Sequence, residues 1–180
     1  MRSEKAKNVA RLGMLFALAI ALSFCESCLT PLLGLMPAMK LGLSNIVVMY
    51  ALLYLSKRQA LALVLLKALF ALLTRGVSAG FLSLCGGLVS WGVLCLLLVL
   101  PLSVTGYIFS VSGALAHNVG QLCGAAVLLS DRMALSYAPV LLAAGVAVGS
   151  LTWGISRAVF PALGKTGLAG QRESRIHFLR

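Results

Sequence analysis

Apolar runs alternate with short polar breaks along almost the whole chain. The first extends from Leu12 to Leu33, and its one charge is Glu26. A break rich in glycine and proline follows, GLMPAMKLGLSN from Gly34 to Asn45. The second run, Leu43 to Ser56, is short and ends at Lys57-Arg58. The third, Ala60 to Thr74, is also short, contains Lys67, and is broken by RGVSAG at Arg75–Gly80. The fourth runs from Phe81 to Leu100 and is closed by Pro101. The fifth, Tyr107 to Ser130, carries His117, Asn118 and Gln121. Asp131-Arg132 precede the sixth, Leu135 to Phe160, which Pro161 stops. A helix needs ~20 mostly apolar residues to cross a bilayer. Six runs near that length predict an all-α, polytopic membrane protein: one bundle of six transmembrane helices. At ~1.5 Å per residue the second and third runs reach only about 22 Å. Local thinning or snorkelling by Lys57 and Arg58 would close that gap, and a re-entrant pair is the alternative. The expected organisation is a basic N-terminus (1–11), a membrane domain (12–160) and a basic tail (161–180).

Composition agrees. Of 180 residues, 61% are hydrophobic and 11% charged, against roughly a quarter charged in soluble domains. The net charge is +11. In a soluble protein that excess suggests nucleic acid. Here the basic residues flank apolar runs, which points to membrane topology and anionic lipid instead. With six spans, eleven Lys and Arg fall on the side of the two termini and three (Lys40, Arg75, Arg132) on the other. The positive-inside rule then predicts both termini in the cytoplasm.

Five cysteines, Cys25, Cys28, Cys85, Cys95 and Cys123, all lie within apolar runs. Their odd number and placement argue for packing as small hydrophobes. Small residues recur every fourth position on the first helix, at Gly13, Ala17 and Ala21, where they allow close approach of another backbone. The pattern leaves open whether that neighbour is internal or a second protein. Similar spacing in the fifth helix (Ala116, Gly120, Gly124) and the sixth (Gly145, Gly149) predicts packing within the bundle.

Polar groups inside a membrane are costly and usually face the bundle interior. Glu26, Lys40, Asn45, Lys67, His117, Asn118 and Gln121 are therefore candidates to line one cavity toward the outer face. His117 and Gln121 share a helical face. Structural ion pairs and amide cross-links between helices are the alternative. Catalysis is poorly supported. Prenyl transfer on Mg²⁺ requires several carboxylates, and the runs contain one. HExxH, GxSxG and Walker A motifs are missing. The expectation is a non-enzyme with no cofactor and no metal, which binds a small molecule and uses an ion gradient or an ATPase borrowed from other chains.

Three segments, PAMKLGLSN (Pro37–Asn45), GGLVS (Gly86–Ser90) and AHNVGQL (Ala116–Leu122), resemble in order and spacing the bacterial Gx transporter family, also called heptaprenyl diphosphate synthase component I. The family usually reads PGVKLGLAN where this chain has Ala38, Met39 and Ser44. That family is similar to the substrate-binding (S) components of energy-coupling factor (ECF) transporters. The resemblance implies a six-helix protein of the bacterial cytoplasmic membrane with a substrate pocket near its outer face. It also implies docking onto a transmembrane coupling protein with two ATPases, through Ala17 and Ala21, with Gly13 extending the ridge. The family's other label implies an accessory, non-catalytic subunit of a polyprenyl diphosphate synthase.

Overall fold

The computed structural model describes residues 2–29, 32, 42–100, 104–128 and 131–165. Six α-helices follow one another: α1 Arg2–Leu29, α2 Asn45–Tyr54, α3 Lys57–Arg75, α4 Val77–Val99, α5 Gly106–Leu128 and α6 Asp131–Lys165. The described residues contain no strand. Among the described residues, three segments are long and apolar enough to cross a bilayer: Ala6–Cys28, Val77–Val99 and Ser136–Ala158. The protein is a helical membrane protein.

The helices depart from the apolar runs in four places. α1 begins at Arg2, ten residues before the oily stretch, because nothing in the basic leader breaks a helix. α2 is shorter than its run, with ten residues and a length of about 15 Å. α3 and α4 are separated by Gly76 alone, at φ +90°, so α4 starts at Val77 rather than Phe81. Pro161, expected to stop the last helix, lies inside α6, which continues to Lys165. Pro101 and the tail from 166 onward lie outside the described residues.

Helices α3 to α6 form a consecutive antiparallel array, in which each packs on the next. Glycines set the close crossings. A Cβ on Gly87 would come 2.7 Å from Val64 on α3, and one on Gly149 would come 2.7 Å from the Val111 Cα on α5. Gly120 and Gly124 meet Cys85 of α4, and Gly145 meets Leu115 and Asn118 of α5. These small residues therefore serve packing within the bundle.

α2 touches all five other helices. Its residues from Asn45 to Leu53 are all buried and form most of the core, with Leu63, Val64, Leu94 and Phe109. Ile46, Val47 and Val48 are indifferent helix formers, so tertiary burial, not local preference, holds this segment helical. Its C-terminal end passes directly to α3, where the Ser56 hydroxyl accepts from the Gln59 N–H at 3.2 Å and caps the helix.

α1 is peripheral and packs on α2 and α3, including an edge-to-face contact of Phe16 with Phe70 at 6.3 Å. Gly13, Ala17 and Ala21 are all exposed, and no atom lies within 4 Å of a Cβ placed on Gly13. The cysteines are free thiols. Cys25, Cys28 and Cys123 are exposed rather than packed, because their faces of α1 and α5 turn out of the bundle.

Candidate functional site

The three sequence segments meet around His117. In the first, Gly42 adopts φ +97°, a conformation that side chains disfavour. A Cβ at Gly42 would also sit 3.1 Å from the His117 ring. Glycine is thus required there by both backbone and space. In the second, a Cβ at Gly86 would lie 2.7 Å from the His117 carbonyl oxygen and 2.9 Å from Gln121 Cγ. Gly86 lets α5 press its polar face onto α4. His117 and Gln121, one turn apart on α5, are 4% and 1% exposed.

Glu26, near the end of α1, is wholly buried. Its Oε1 accepts the N–H groups of Gly42 and Leu43, the latter at 3.2 Å. These donors lie in the turn that leads into α2, where Asn45 N–H bonds back to the Gly42 carbonyl at 2.8 Å. A carboxylate at the start of a helix gains both the orphan donors and the positive end of the helix dipole. Glu26 therefore pins α1 to the beginning of α2. It is also within electrostatic reach of Arg75, the last residue of α3.

A cavity opens beside this junction, between α1, the turn before α2, and the facing parts of α3, α4 and α5. Its charged and amide lining consists of Lys67, Arg75, His117 and Gln121. Hydroxyls come from Ser23, Ser44 and Ser83, and an apolar wall comes from Ala19, Ile20 and Phe70. The empty space is about 400 Å³ when counted out to the open mouth, but the enclosed part has room for little more than a water-sized group. All these residues lie in the half of the bundle where α1 and α3 end and α2 and α4 begin.

Not every polar candidate reaches this cavity. The Asn45 amide donates to the Ser90 hydroxyl at 2.7 Å, and Ser90 donates to the Gly113 carbonyl at 2.9 Å. This buried chain ties α2 to α4 and α5. The Asn118 amide donates to the Leu141 carbonyl at 2.6 Å and ties α5 to α6. Both asparagines act as cross-links between helices. The third segment thus divides its labour: His117 faces the cavity while Asn118 holds α6.

A family model described as heptaprenyl diphosphate synthase component I matches residues 15–159. The chain belongs to that family. No curated protein and no solved structure matches it.

In this chain the structure brings Lys67, His117 and Gln121 together at the cavity, while Glu26 is not among the lining residues and holds the Gly42–Leu43 turn. Lys40 lies outside the described residues. Sequence reasoning overlooked Arg75, counted only as a loop charge, and the serines Ser23, Ser44 and Ser83. Arg75 carries a legible signal: it lies eight residues after Lys67, close to two helical turns, and so on a similar face of α3. Isolated serines in a membrane helix carry none, since they also bond to their own backbone, as Ser27 does to the Ser23 carbonyl at 2.9 Å. No group of three or more His, Cys, Asp or Glu able to hold a metal occurs among the described residues.

Proposed function

We propose that the chain is a membrane-embedded accessory component, non-catalytic alone, which holds a small ligand in the cavity for a separate protein to process. The family's description supports polyprenyl diphosphate synthesis as the setting. The observation that carries the reading is that Ser44 of the first segment and His117 and Gln121 of the third meet Lys67 and Arg75 at one cavity within an otherwise apolar bundle, with Gly86 of the second packed against His117. Polar groups at such depth are expensive, and a few of them converging in a concave site is the usual design of a binding pocket. Prenyl transfer itself draws on several carboxylates around Mg²⁺. The whole chain has four acids, Glu4, Glu26, Asp131 and Glu173, spread from one end to the other. The chemistry is assigned to the partner.

If α3 and α5 cross the bilayer with α1, α4 and α6, and α2 completes the set from inside the bundle, both termini lie in the cytoplasm. The cavity then faces outward. The eleven-to-three bias of basic residues supports that orientation in a bacterial cytoplasmic membrane.

One observation favours a second reading, that of a substrate-capture component of an ECF-type transporter. The ridge Gly13, Ala17 and Ala21 is exposed on the most peripheral helix, where a transmembrane coupling protein would approach. Affinity purification of the tagged chain from membranes, followed by mass spectrometry, separates the two readings. Recovery of a soluble, aspartate-rich prenyl synthase supports the first. Recovery of a coupling protein with ATPases replaces it with the second. Recovery of neither overturns the accessory-component reading.

A further inference from the structure

The end of the bundle away from the cavity, where α2 and α4 finish and α5 begins, holds both tryptophans of the chain, Trp91 and Trp153. Lys57, Arg58 and Arg157 lie at the same end. Tryptophan beside Lys and Arg is the composition of a membrane–water interface. The two indoles are used differently. The Trp91 N–H donates to the Lys57 carbonyl at 3.1 Å and fastens the start of α3 to α4. Trp153, half-buried, instead carries a cation on its ring: the Arg157 guanidinium lies 5.1 Å from the ring centroid.

The surface around Trp153 has a graded order. Leu142, Val146, Ser150, Trp153 and Arg157 follow one another on α6 at spacings of four, four, three and four residues, which keeps them within an arc of about 80°. The stripe spans ~22 Å along the helix. It begins with exposed apolar side chains, passes a hydroxyl and an aromatic ring, and ends in an exposed cation. A helical side chain leans over the turn N-terminal to it. That brings the guanidinium back over Trp153 and toward Ser150. Tyr107, on the first turn of α5, closes the flank, with its ring edge-to-face on Trp153 at 5.6 Å. Its hydroxyl is 3.3 Å from the Ser150 Oγ, longer than a good O–H···O bond. Ser150 already donates to the Val146 carbonyl at 2.8 Å, so the Tyr107 O–H is the donor at this level, and it is exposed.

We infer that this stripe is a binding site for an anionic glycerophospholipid, with the phosphate on Arg157, an ester carbonyl on Tyr107 and an acyl chain along Val146 and Leu142. The order is that of the lipid itself, in which the ester groups lie a few ångströms deeper than the phosphate. Arg157 offers forked donors that match a phosphate, and the ring beneath it holds them in place. Among the described side chains the sole carboxylate is Glu26, at the opposite end of the bundle, so an anionic headgroup complements the site. Lipid fits better than a soluble protein or a free anion, because Leu142 and Val146 lie within the apolar segment Ser136–Ala158, below the reach of either. In the orientation proposed above, the lipid belongs to the cytoplasmic leaflet.

The chain, delipidated in mild detergent, is titrated with dioleoyl phosphatidylglycerol, dioleoyl phosphatidylcholine and glycerol 3-phosphate, and the bound species are counted by native mass spectrometry. Wild type should take up one phosphatidylglycerol about fivefold more strongly than phosphatidylcholine, the contribution of one basic residue at an anionic surface. Arg157→Gln should erase that preference. Tyr107→Phe keeps the ring contact and should weaken both lipids alike, because the ester is common to them. Arg58→Gln, the same charge loss at the same end of the bundle but on α3, should change nothing. If Arg157→Gln fails to fold, Arg157→Lys keeps the charge and must keep the preference. Equal uptake of the two lipids by wild type, an undiminished preference in folded Arg157→Gln, or an equal loss in Arg58→Gln overturns the inference. So does full binding of both lipids by Tyr107→Phe, or glycerol 3-phosphate binding as strong as that of phosphatidylglycerol. Neither the cavity nor a protein partner enters this test, so its outcome is separate from that of the accessory-component reading.

Discussion

Substituting Gly86 by alanine tests whether the α4–α5 crossing sets the position of the site. The added Cβ would fall 2.7 Å from the His117 carbonyl oxygen, about 0.7 Å short of the 3.4 Å at which ordinary contact begins. The same Cβ lies 2.9 Å from Gln121 Cγ and from His117 Cε1. A side chain could turn aside, but the carbonyl belongs to the backbone of α5, so the helix itself must shift. Overpacking of this kind costs about 1–3 kcal/mol. Alanine recovers roughly 0.5–1 kcal/mol of helix preference over glycine. At about 2–4 °C per kcal/mol for a chain of this size, the net loss lowers the unfolding temperature by several degrees. Gly13→Ala is the matched control, since nothing lies within 4 Å of its Cβ and only the helix term remains. Unfolding followed by intrinsic fluorescence in one detergent compares the three proteins. Gly86→Ala should melt below wild type and Gly13→Ala at or slightly above it. A Gly86→Ala protein as stable as Gly13→Ala would refute the claim that this crossing is tight.

Asn45→Ala and Ser90→Ala should each destabilise by about 1–2 kcal/mol. Their double mutant should show a coupling near 0.6 kcal/mol, typical of interhelical hydrogen bonds in membranes, and additivity would argue against the bond. Ser56→Ala should cost about 1 kcal/mol through loss of the α3 cap, read from the same unfolding curves. Ala17→Leu and Ala21→Leu should leave the unfolding temperature unchanged because both positions are exposed. They should reduce partner recovery in the affinity purification, and full recovery would remove the ridge from the docking surface.

Hydropathy locates the oily part of each helix well, and the bodies of α4, α5 and α6 lie where the apolar runs put them. It does not find helix ends. Arg2–Arg11 has no apolar face to reveal it, yet it continues α1, and Pro161 breaks a pattern without breaking the backbone. α2 misleads in a different way. Its run looks like a weak membrane span, whereas its actual state, a ten-residue helix enclosed on all sides, depends on contacts with five other helices that no local window contains. At the site, spacing alone pairs His117 with Gln121. What spacing cannot show is that Asn118, one residue away, turns to Leu141 on α6, or that Asn45 bonds Ser90. Neighbours in sequence diverge by about 100° on a helix, so the roles of adjacent polar residues are fixed only when the partner helices are placed. Glu26 shows the same limit. As an intramembrane acid it signals function or pairing, and the backbone donors it accepts become visible only once residues sixteen and seventeen positions away are folded against it.

The enclosure of α2 bears on how the protein is made. Ribosomes deliver a chain from its N-terminus, and domains tend to settle as they emerge. The second helix leaves the exit tunnel before three of the five walls that surround it have been synthesised. It has no finished seat until α6 arrives, so the nascent protein passes through a stage with its centre unassembled. Premature termination after α4 would strand that centre in lipid or with chaperones, and such fragments should be cleared rapidly by membrane proteases.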